Sequence, residues 1–397
     1  MTEKTQKIQE ALTRGVENIY PNREGLEKIL NSGKKLKIFN GIDPTGPSLH
    51  LGHVVVLLKL KQLQDLGHQI IILIGDFTAQ IGDPTDKLAA RKPLTHKQVL
   101  QNARDYKKQI GKILDLKKTV FKYNSKWLSK LSFTDFLQLS AHFTAQQTLQ
   151  REMFKQRLNQ GKDLYLHEFF YPLMQAYDSV AMDVDMEIGG NDQTFNMLAG
   201  RTLMRKMKNK EKFVLTTKLL VDPEGAKMGK TAGNMAALND KPEEIYGKVM
   251  SWPDEMIVPA FELCTQVPSS AVNQVAQEYK SGKNPKILKM FLAYKIIEMY
   301  FGKQAAIAAE EYFKQVFEEG LNPDKMPVFK MKKGSLVDIL VKTKLAASKS
   351  EARRLILQGG IKVDTLKVTD ENHRIEKIDA DGVVIQKGKR HFVKIVN

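Results

Sequence analysis

Two histidines three residues apart, His50 and His53, close a segment that reads Phe39-Asn-Gly-Ile-Asp-Pro-Thr-Gly-Pro-Ser-Leu-His-Leu-Gly-His53. A strand end, a turn of Gly and Pro, and a helix start are written into it. Backbone N–H groups at a helix N-terminus favour phosphate. The two histidines share a helix face, and Gly52 carries no side chain where a flat base would approach the backbone. Together these suit a nucleotide triphosphate. A surface helix that happens to hold two histidines explains His-x-x-His alone equally well, and a zinc site has no obvious third ligand. A second segment, Asp222-Pro-Glu-Gly-Ala-Lys-Met-Gly-Lys-Thr231, presents Lys227 and Lys230 on a Gly-containing turn. Mobile ammonium groups can close on a triphosphate and neutralise charge developing in a transition state. In isolation that pair is better explained as a solvated hairpin loop.

Tyr171, Gln175 and Asp178 stand at intervals of four and three, so one helix face carries all three. A carboxylate buried beside an apolar wall is costly unless a donor meets it, and a phenol O–H is such a donor. The plain alternatives are core packing for Tyr171 and a capping or ion-paired role for Asp178. Near the end of the chain Arg353, Arg354, Lys387, Lys389 and Arg390 lie in a tail with 16 Lys and Arg against 8 Asp and Glu from Phe329 onward. Such side chains suit backbone phosphates, giving affinity that falls with salt. The run Met204-Arg-Lys-Met-Lys-Asn-Lys-Glu-Lys-Phe213 is also basic, and fits a polyanion contact or a solvated helix end about equally.

The elements that must hold these groups alternate between strand and helix. Residues 36–42 read as a strand, 50–67 as a helix, and the apolar run 69–75 as a strand buried on both faces. Residues 182–188 (MDVDMEI) alternate like a strand, and 191–207 read as a helix after it. That order implies an α/β fold with a parallel sheet and right-handed crossovers, whose ligands gather at the carboxyl ends of the strands. From Pro242 to about Gly320 helical patterns dominate, as at 284–301. Residues 321–333 lie in a turn-rich linker. The last unit has a capping box at Ser348–Glu351, a helix over 352–358 stopped by Gly359, and strands at 361–363, 383–386 and 391–396.

Composition sets the outer limits. The 397 residues allow two or three domains, and 42% apolar residues allow proper cores. An excess of 62 Lys and Arg over 45 Asp and Glu, a net charge of +17, points to a polyanionic partner. A lone cysteine, Cys264, excludes an intrachain disulfide and makes a cysteine-based metal site implausible. The first residues are charged and lack the apolar core of a signal peptide, and no apolar run spans a bilayer. The chain reads as cytoplasmic, with no membrane partner.

The histidine and lysine segments, in this order and about 175 residues apart, resemble the paired signatures of class I aminoacyl-tRNA synthetases, His-Ile-Gly-His and Lys-Met-Ser-Lys-Ser. Here they stand as His50-Leu-Gly-His53 and Lys227-Met-Gly-Lys-Thr231. Gly41-Ile-Asp-Pro-Thr45, Gly75-Asp-Phe-Thr-Ala-Gln-Ile-Gly-Asp-Pro-Thr85, Tyr171-Pro-Leu-Met-Gln-Ala-Tyr-Asp178 and Gly189-Gly-Asn-Asp-Gln193 narrow the resemblance to the tyrosyl-tRNA synthetases. It covers nearly the whole chain and is closest to the bacterial subgroup in which His-Leu-Gly-His is followed by a Leu-rich helix and a Gly-Asp-Phe-Thr strand end. The C-terminal unit resembles the small RNA-binding module of the ribosomal small-subunit type that bacterial members often carry. The resemblance implies a Rossmann-like catalytic domain over 1–240, a helical domain over 241–320, a linker over 321–333 and a small α+β RNA-binding domain over 334–397.

Carried over by matching motif, the resemblance implies that Asp178 accepts a hydrogen bond from the substrate phenol. Tyr171, Gln175 and Asp83 would hold its α-ammonium, with Thr78 lining the pocket and Gln193 helping to place the carboxylate. Gly190 and Asp192 would meet the ribose, and Gly41, Asp43 and Gly52 would belong to the ATP site. Thr45, His50, His53, Lys87, Arg91, Lys227 and Lys230 would surround the phosphates. The implied partners are L-tyrosine, ATP with magnesium, tRNA and a second copy of the chain, with helices around 143–157 as interface elements. Phenylalanine would leave Asp178 unpaired, and no insertion large enough for an editing domain is present. Phe39 and Asn40 stand where many relatives place a second phenol-reading tyrosine, so selection leans more heavily on Asp178. Lys218 stands where relatives usually have proline. A tryptophanyl enzyme shares the fold and both signatures, but Gln175 and Asp178 favour tyrosine. A non-catalytic RNA-binding protein on the same scaffold would carry a broken phosphate site, whereas His50, Gly52, His53, Lys227 and Lys230 are all present.

Overall fold

A computed structural model describes residues 2–83, 93–226, 235–318, 326–331, 333–379, 381–388 and 391–397. Lys87, Arg91, Lys227, Lys230, Lys389 and Arg390 therefore lie outside the described residues. The chain divides into two compact units, one of Met1–Asp240 with Lys248–Gly302 and one of Lys241–Gly247 with Lys303–Asn397.

The first unit is built on six strands: β1 (Val16–Tyr20), β2 (Lys37–Ile42), β3 (Gln69–Ile74), β4 (Thr119–Tyr123), β5 (Met186–Gly190) and β6 (Phe213–Thr217). Their order is β1-β6-β5-β2-β3-β4. All neighbours are parallel except β1, which pairs antiparallel with β6. In β3 every residue after Gln69 is buried, as an all-apolar run in a sheet covered on both faces must be. From β2 the chain steps outward through β3 and β4. From β5 it steps the other way through β6. The sheet therefore reverses direction between β2 and β5, where α/β sheets place their ligands.

Helix Leu51–Asp65 connects β2 to β3, and helix Leu166–Met182 leads into β5. The strand expected from residue 182 begins only at Met186. Met182 is the last buried residue of the preceding helix, which stops at Asp183 in a left-handed conformation (φ 49°). The apparent alternation came from a helix end and a turn. After β5 a single 3-10 turn (Asn191–Gln193) precedes helix Thr194–Lys208. Lys218 also finds a reason: its N–H donates to Gly15 O at 2.9 Å, a bond proline cannot make, and its ammonium pairs with Glu262 at 3.1 Å.

Helices Ile257–Cys264, Ser269–Lys280 and Pro285–Phe301 pack within the first unit, and Lys303–Phe313 within the second. In the second unit, Leu336–Lys342 and Lys349–Leu357 bury a core that includes Leu340, Ile356, Ile361, Ile385 and Ile395. Ser348 Oγ accepts from Glu351 N at 3.2 Å, but the Glu351 carboxylate turns to Ala347 N, so the expected box is only half made. The five-stranded sheet of this unit includes Val328–Lys330, which falls in the stretch read as a linker and pairs parallel with His391–Val396. Among the described residues no helix is long and apolar enough to cross a membrane.

Candidate active site

The first wall of the site grows from the end of β2. His50 is the N-cap of helix Leu51–Asp65: its Nδ1 accepts from Gly52 N at 3.1 Å, and His53 Nδ1 accepts from His50 N at 3.2 Å. With both Nδ1 atoms acting as acceptors, each neutral ring carries its proton on Nε2, a donor of the kind phosphate oxygen takes. The rings lie 4.0 Å apart. A Cβ at Gly52 would stand 2.9 Å from His50 Cε1, so glycine is required here by the histidine cap itself. The loop before the helix is held from one side by Asn102, Tyr106 and Gln109. These donate to the carbonyls of Pro44 (2.9 Å), Gly46 (2.7 Å) and Pro47 (3.1 Å). Thr45 is exposed beside them. Downstream of the two signature lysines the chain returns onto this segment. Leu51 N donates to Ala236 O at 3.1 Å and Leu238 N to Leu49 O at 2.8 Å, around a bridge between His50 and Ala237.

The deepest part of the site is a carboxylate. Asp178 is 2% exposed and receives Trp127 Nε1–H at 2.7 Å and Asn124 Nδ2–H at 3.3 Å. Burial pushes its pKa well above the ordinary carboxylate range. The Trp127 and Asn124 donors pull it back, and the nearby Asp43 and Glu187 charges raise it. Asn124 Oδ1 accepts Phe77 N at 2.9 Å, which orients its amide so that Nδ2 also reaches Thr78 Oγ1 at 3.0 Å. Thr78 in turn donates to Asp43 Oδ1 at 2.7 Å, and Tyr171 O–H donates to Asp43 Oδ2 at 2.9 Å. One hydrogen-bonded path thus runs from Asp178 through Asn124 and Thr78 to Asp43, on the loop that ends in His50. Burial, together with Asp43 and Asp83, holds the Tyr171 phenol far above its usual pKa, so it stays a donor.

The opposite wall comes from the end of β5. Gln193 Nε2 donates to Asp83 Oδ2 at 2.7 Å, and Arg151 stands 3.7 Å from Asp83 Oδ1. Asn196 Nδ2 donates to Gln193 Oε1 at 3.0 Å. A Cβ at Gly190 would meet Asp192 Oδ1 at 2.5 Å, so the missing side chain makes room for that carboxylate. Gln175 Nε2 donates to Glu187 Oε1 at 3.2 Å, while its own Oε1 is buried without a hydrogen-bond partner among the described residues. Asp43, Thr78 and Asn124 follow the carboxyl ends of β2, β3 and β4, Gly190 ends β5 and Gln193 follows it, and Tyr171, Gln175 and Asp178 come from helix Leu166–Met182.

Gly41, Asp43, His50, Gly52, His53, Thr78, Asp83, Tyr171, Gln175, Asp178, Gly190, Asp192 and Gln193 therefore lie around one region. The basic run of residues 204–213 is partly occupied within the fold: Lys206 donates to His142 O at 3.0 Å and Lys210 pairs with Asp183 and Asp185 at 3.1 Å. In the second unit Arg353 and Arg354 are exposed, whereas Lys387 donates to Leu345 O at 2.6 Å and pairs with Glu351. Phe39 is wholly buried with Ile71, Met182 and Val184, and Asn40 donates to Ile188 O at 2.8 Å. Of the 143–157 stretch expected at an interface, Phe154 and Arg157 are buried within the chain, Arg157 against Glu168 at 2.7 Å. Among the described residues no group of three or more His, Cys, Asp or Glu is placed to hold a metal ion. Sequence reasoning passed over Asn124, Trp127, Arg151, Glu187 and Lys212. Asn124 and Trp127 carried a usable signal, being polar groups directly after a parallel strand. The others did not, because their partners are distant in sequence.

Comparison with known proteins agrees with the arrangement. The family model described as tRNA synthetases class I (W and Y) matches residues 31–318, and one described as the tyrosine–tRNA ligase SYY-like C-terminal domain matches residues 317–395. The tyrosine–tRNA ligase of Carboxydothermus hydrogenoformans is 44% identical over 98% of this chain and 97% of its own. That of Thermotoga maritima is 42% identical over 97% of this chain and 96% of its own. Among solved structures, the tyrosyl-tRNA synthetase of Archaeoglobus fulgidus complexed with L-tyrosine superposes with a TM-score of 0.62 at 22% identity. That superposition covers 78% of this chain and all (100%) of the other. A truncated mitochondrial tyrosyl-tRNA synthetase of Aspergillus nidulans gives 0.65 at 23% identity, over 79% and 98%.

Proposed function

The chain belongs to the class I tRNA synthetases of the W and Y type, and we propose from that premise how its residues divide the work. Its activity is that of a tyrosine–tRNA ligase, which uses ATP to join L-tyrosine to tRNA. Asp178 reads the phenol O–H as acceptor, Tyr171, Gln175 and Asp83 hold the α-ammonium, and Gln193 places the carboxylate. Asp43 and Thr78 complete the pocket. Gly190 and Asp192 take the ribose. Gly41, Gly52, Thr45, His50 and His53 line the nucleotide side, with Lys87, Arg91, Lys227 and Lys230 brought to the phosphates. The observation that carries this reading is the hydrogen-bonded path from the buried Asp178 to Asp43, which joins an aromatic-hydroxyl reader to the loop of the two histidines.

The chemistry follows from the substrates and from the groups that would meet them. The tyrosine carboxylate is already a nucleophile, so its attack on the α-phosphorus of ATP requires no general base. The residues act by positioning and by stabilising charge on the departing pyrophosphate. Magnesium bound with the nucleotide would add to the neutralisation of its phosphates. The terminal ribose hydroxyl of tRNA then attacks the mixed anhydride and displaces AMP. The exposed Arg353 and Arg354, with Lys389 and Arg390, supply phosphate contacts along the RNA. The protein works in the cytoplasm as a homodimer. Support for the dimer is an apolar surface at Phe133, Leu137 and Leu166, which are 77%, 52% and 76% exposed.

ATP–pyrophosphate exchange with a panel of amino acids tests the reading. Exchange with tyrosine, and not with tryptophan or phenylalanine, is expected. Exchange with tryptophan instead would overturn the assignment of Asp178, and RNA binding without any exchange would overturn the enzyme.

A further inference from the structure

An ion pair with no part in the reaction as described lies behind the amino-acid pocket. Lys212 is fully buried and Glu187 is 2% exposed. The ammonium meets Glu187 Oε2 and donates to Ser179 Oγ at 2.9 Å. A Cβ at Gly200 would stand 2.6 Å from Lys212 Nζ, so helix Thr194–Lys208 leaves a gap for it. Packing does not explain such a pair, since apolar side chains of the same volume stabilise a core at least as well.

Its second carboxylate oxygen does explain it. Glu187 Oε1 accepts Gln175 Nε2 at 3.2 Å, and Gln175 Oε1 is left buried with no partner among the described residues. Either end of a side-chain amide can point either way, and its neighbours decide which. An ionised carboxylate only accepts, so it takes the NH2 end of Gln175 and leaves the carbonyl oxygen as the end turned away from it. A protonated Glu187 would be free to donate, and the amide could reverse. Burial lowers the pKa of Lys212 and the Glu187 charge beside it raises it back.

We propose that the Lys212–Glu187 pair is a positioning device for the α-ammonium of the substrate: it keeps Glu187 an acceptor and thereby fixes Gln175 with its oxygen, not its NH2, facing that ammonium. This rests on the reading of Gln175 given above. Lys212 and Glu187 touch no substrate atom; they act through Gln175.

The test compares L-tyrosine with 3-(4-hydroxyphenyl)propanoate, which keeps the phenol and carboxylate but has no ammonium. In Glu187→Gln the new amide has its oxygen claimed by Lys212, offers Gln175 an N–H and lets that side chain turn over. The KM for tyrosine should rise about tenfold or more, the loss expected for one hydrogen bond to a charged group. The KM for ATP and the inhibition constant of the propanoate should stay at wild-type values. Lys212→Met should give the same selective loss, and where that variant does not fold the isosteric Glu187→Gln decides. Equal weakening of tyrosine and the propanoate, or no change in either, overturns the proposal. Wild-type protein that shows no tyrosine-dependent exchange would instead overturn the functional reading beneath it.

Discussion

Trp127 donates its indole N–H to Asp178 Oδ1 at 2.7 Å, so the carboxylate that reads the substrate is itself held by an aromatic donor. Asn124 is its second donor, at 3.3 Å. Burial raises the Asp178 pKa well above the usual range and these two donors work against it. In the ligand-free fold Asp178 thus keeps a proton at pH values where the unfolded chain has lost it. That contribution to stability is full at low pH and fades as pH rises through the folded pKa.

Tyrosine binding should carry the same titration with opposite sense, because a phenol O–H donates to the ionised form. The KM for tyrosine is expected to rise as pH falls through the raised pKa of Asp178, above the ordinary carboxylate range. Trp127→Phe removes a donor that favours the charged form, so the inflection should move to higher pH and tyrosine-over-phenylalanine selection should weaken. The pH dependence of kcat/KM in pyrophosphate exchange for both amino acids measures this. An inflection that does not move, with unchanged selection, would show that Trp127 only packs.

Gly75 sets the geometry of Asp43. A Cβ there would lie 1.9 Å from Asp43 Oδ1 and 2.5 Å from Thr78 Oγ1, while Gly75 N donates to Ile42 O at 2.9 Å. Gly75→Ala must displace the carboxylate that receives both Thr78 and Tyr171. A destabilisation of about 1–3 kcal/mol is expected from the overpacking. Exchange activity should fall by more than the folded fraction does, read by thermal melting beside exchange kinetics. Equal losses in the two would place the glycine's importance in folding alone.

How far the sequence reveals this site depends on the range of the interactions. The strand-loop-helix at His50, the buried strand β3 and the shared face of Tyr171, Gln175 and Asp178 are local patterns, and periodicity exposes them. Asp43 as the hub for Thr78 and Tyr171 is a tertiary fact, since its partners lie 35 and 128 positions away. The Lys212–Glu187 pair is hidden for the same reason: a lysine in a basic run reads as solvated until the fold closes over it. The alternation at 182–188 misled because a helix end followed by a left-handed turn imitates a strand.

On the proposed reading, the two units divide activation from charging. The region 334–397 has its own core, with Leu336, Ile339, Ile356, Ile385 and Ile395 all 2% exposed or less. All described groups of the proposed pocket belong to the first unit. Removal of residues 334–397 should leave tyrosine-dependent pyrophosphate exchange within a few-fold of wild type, while tRNA charging drops steeply and worsens with salt, as phosphate contacts require. A truncated protein that is folded by circular dichroism yet has lost exchange would contradict that division.

Phe133 and Leu137 stand four apart on helix Phe133–Ser140, and Leu166 and Phe170 four apart on helix Leu166–Met182, so each pair shares a helix face. Phe136 meets Phe170 edge to face at 4.9 Å, which sets the two helices side by side. With Phe133 77%, Leu166 76% and Phe170 39% exposed, this apolar surface is of the kind an isologous partner covers. On the same helix as Leu166 and Phe170, Glu168 forms a buried pair with Arg157 at 2.7 Å, and Tyr171 follows Phe170 in the chain. Phe133→Glu places a charge at the centre of a face that must be desolvated on pairing. The wild type should sediment as a dimer and the variant as a monomer at micromolar concentration. Because the helix that would lose its cover also carries Tyr171, Gln175 and Asp178, the monomer should bind tyrosine more weakly than the dimer. A variant that remains dimeric would move the interface elsewhere, and a monomeric variant with wild-type tyrosine binding would uncouple the interface from the pocket.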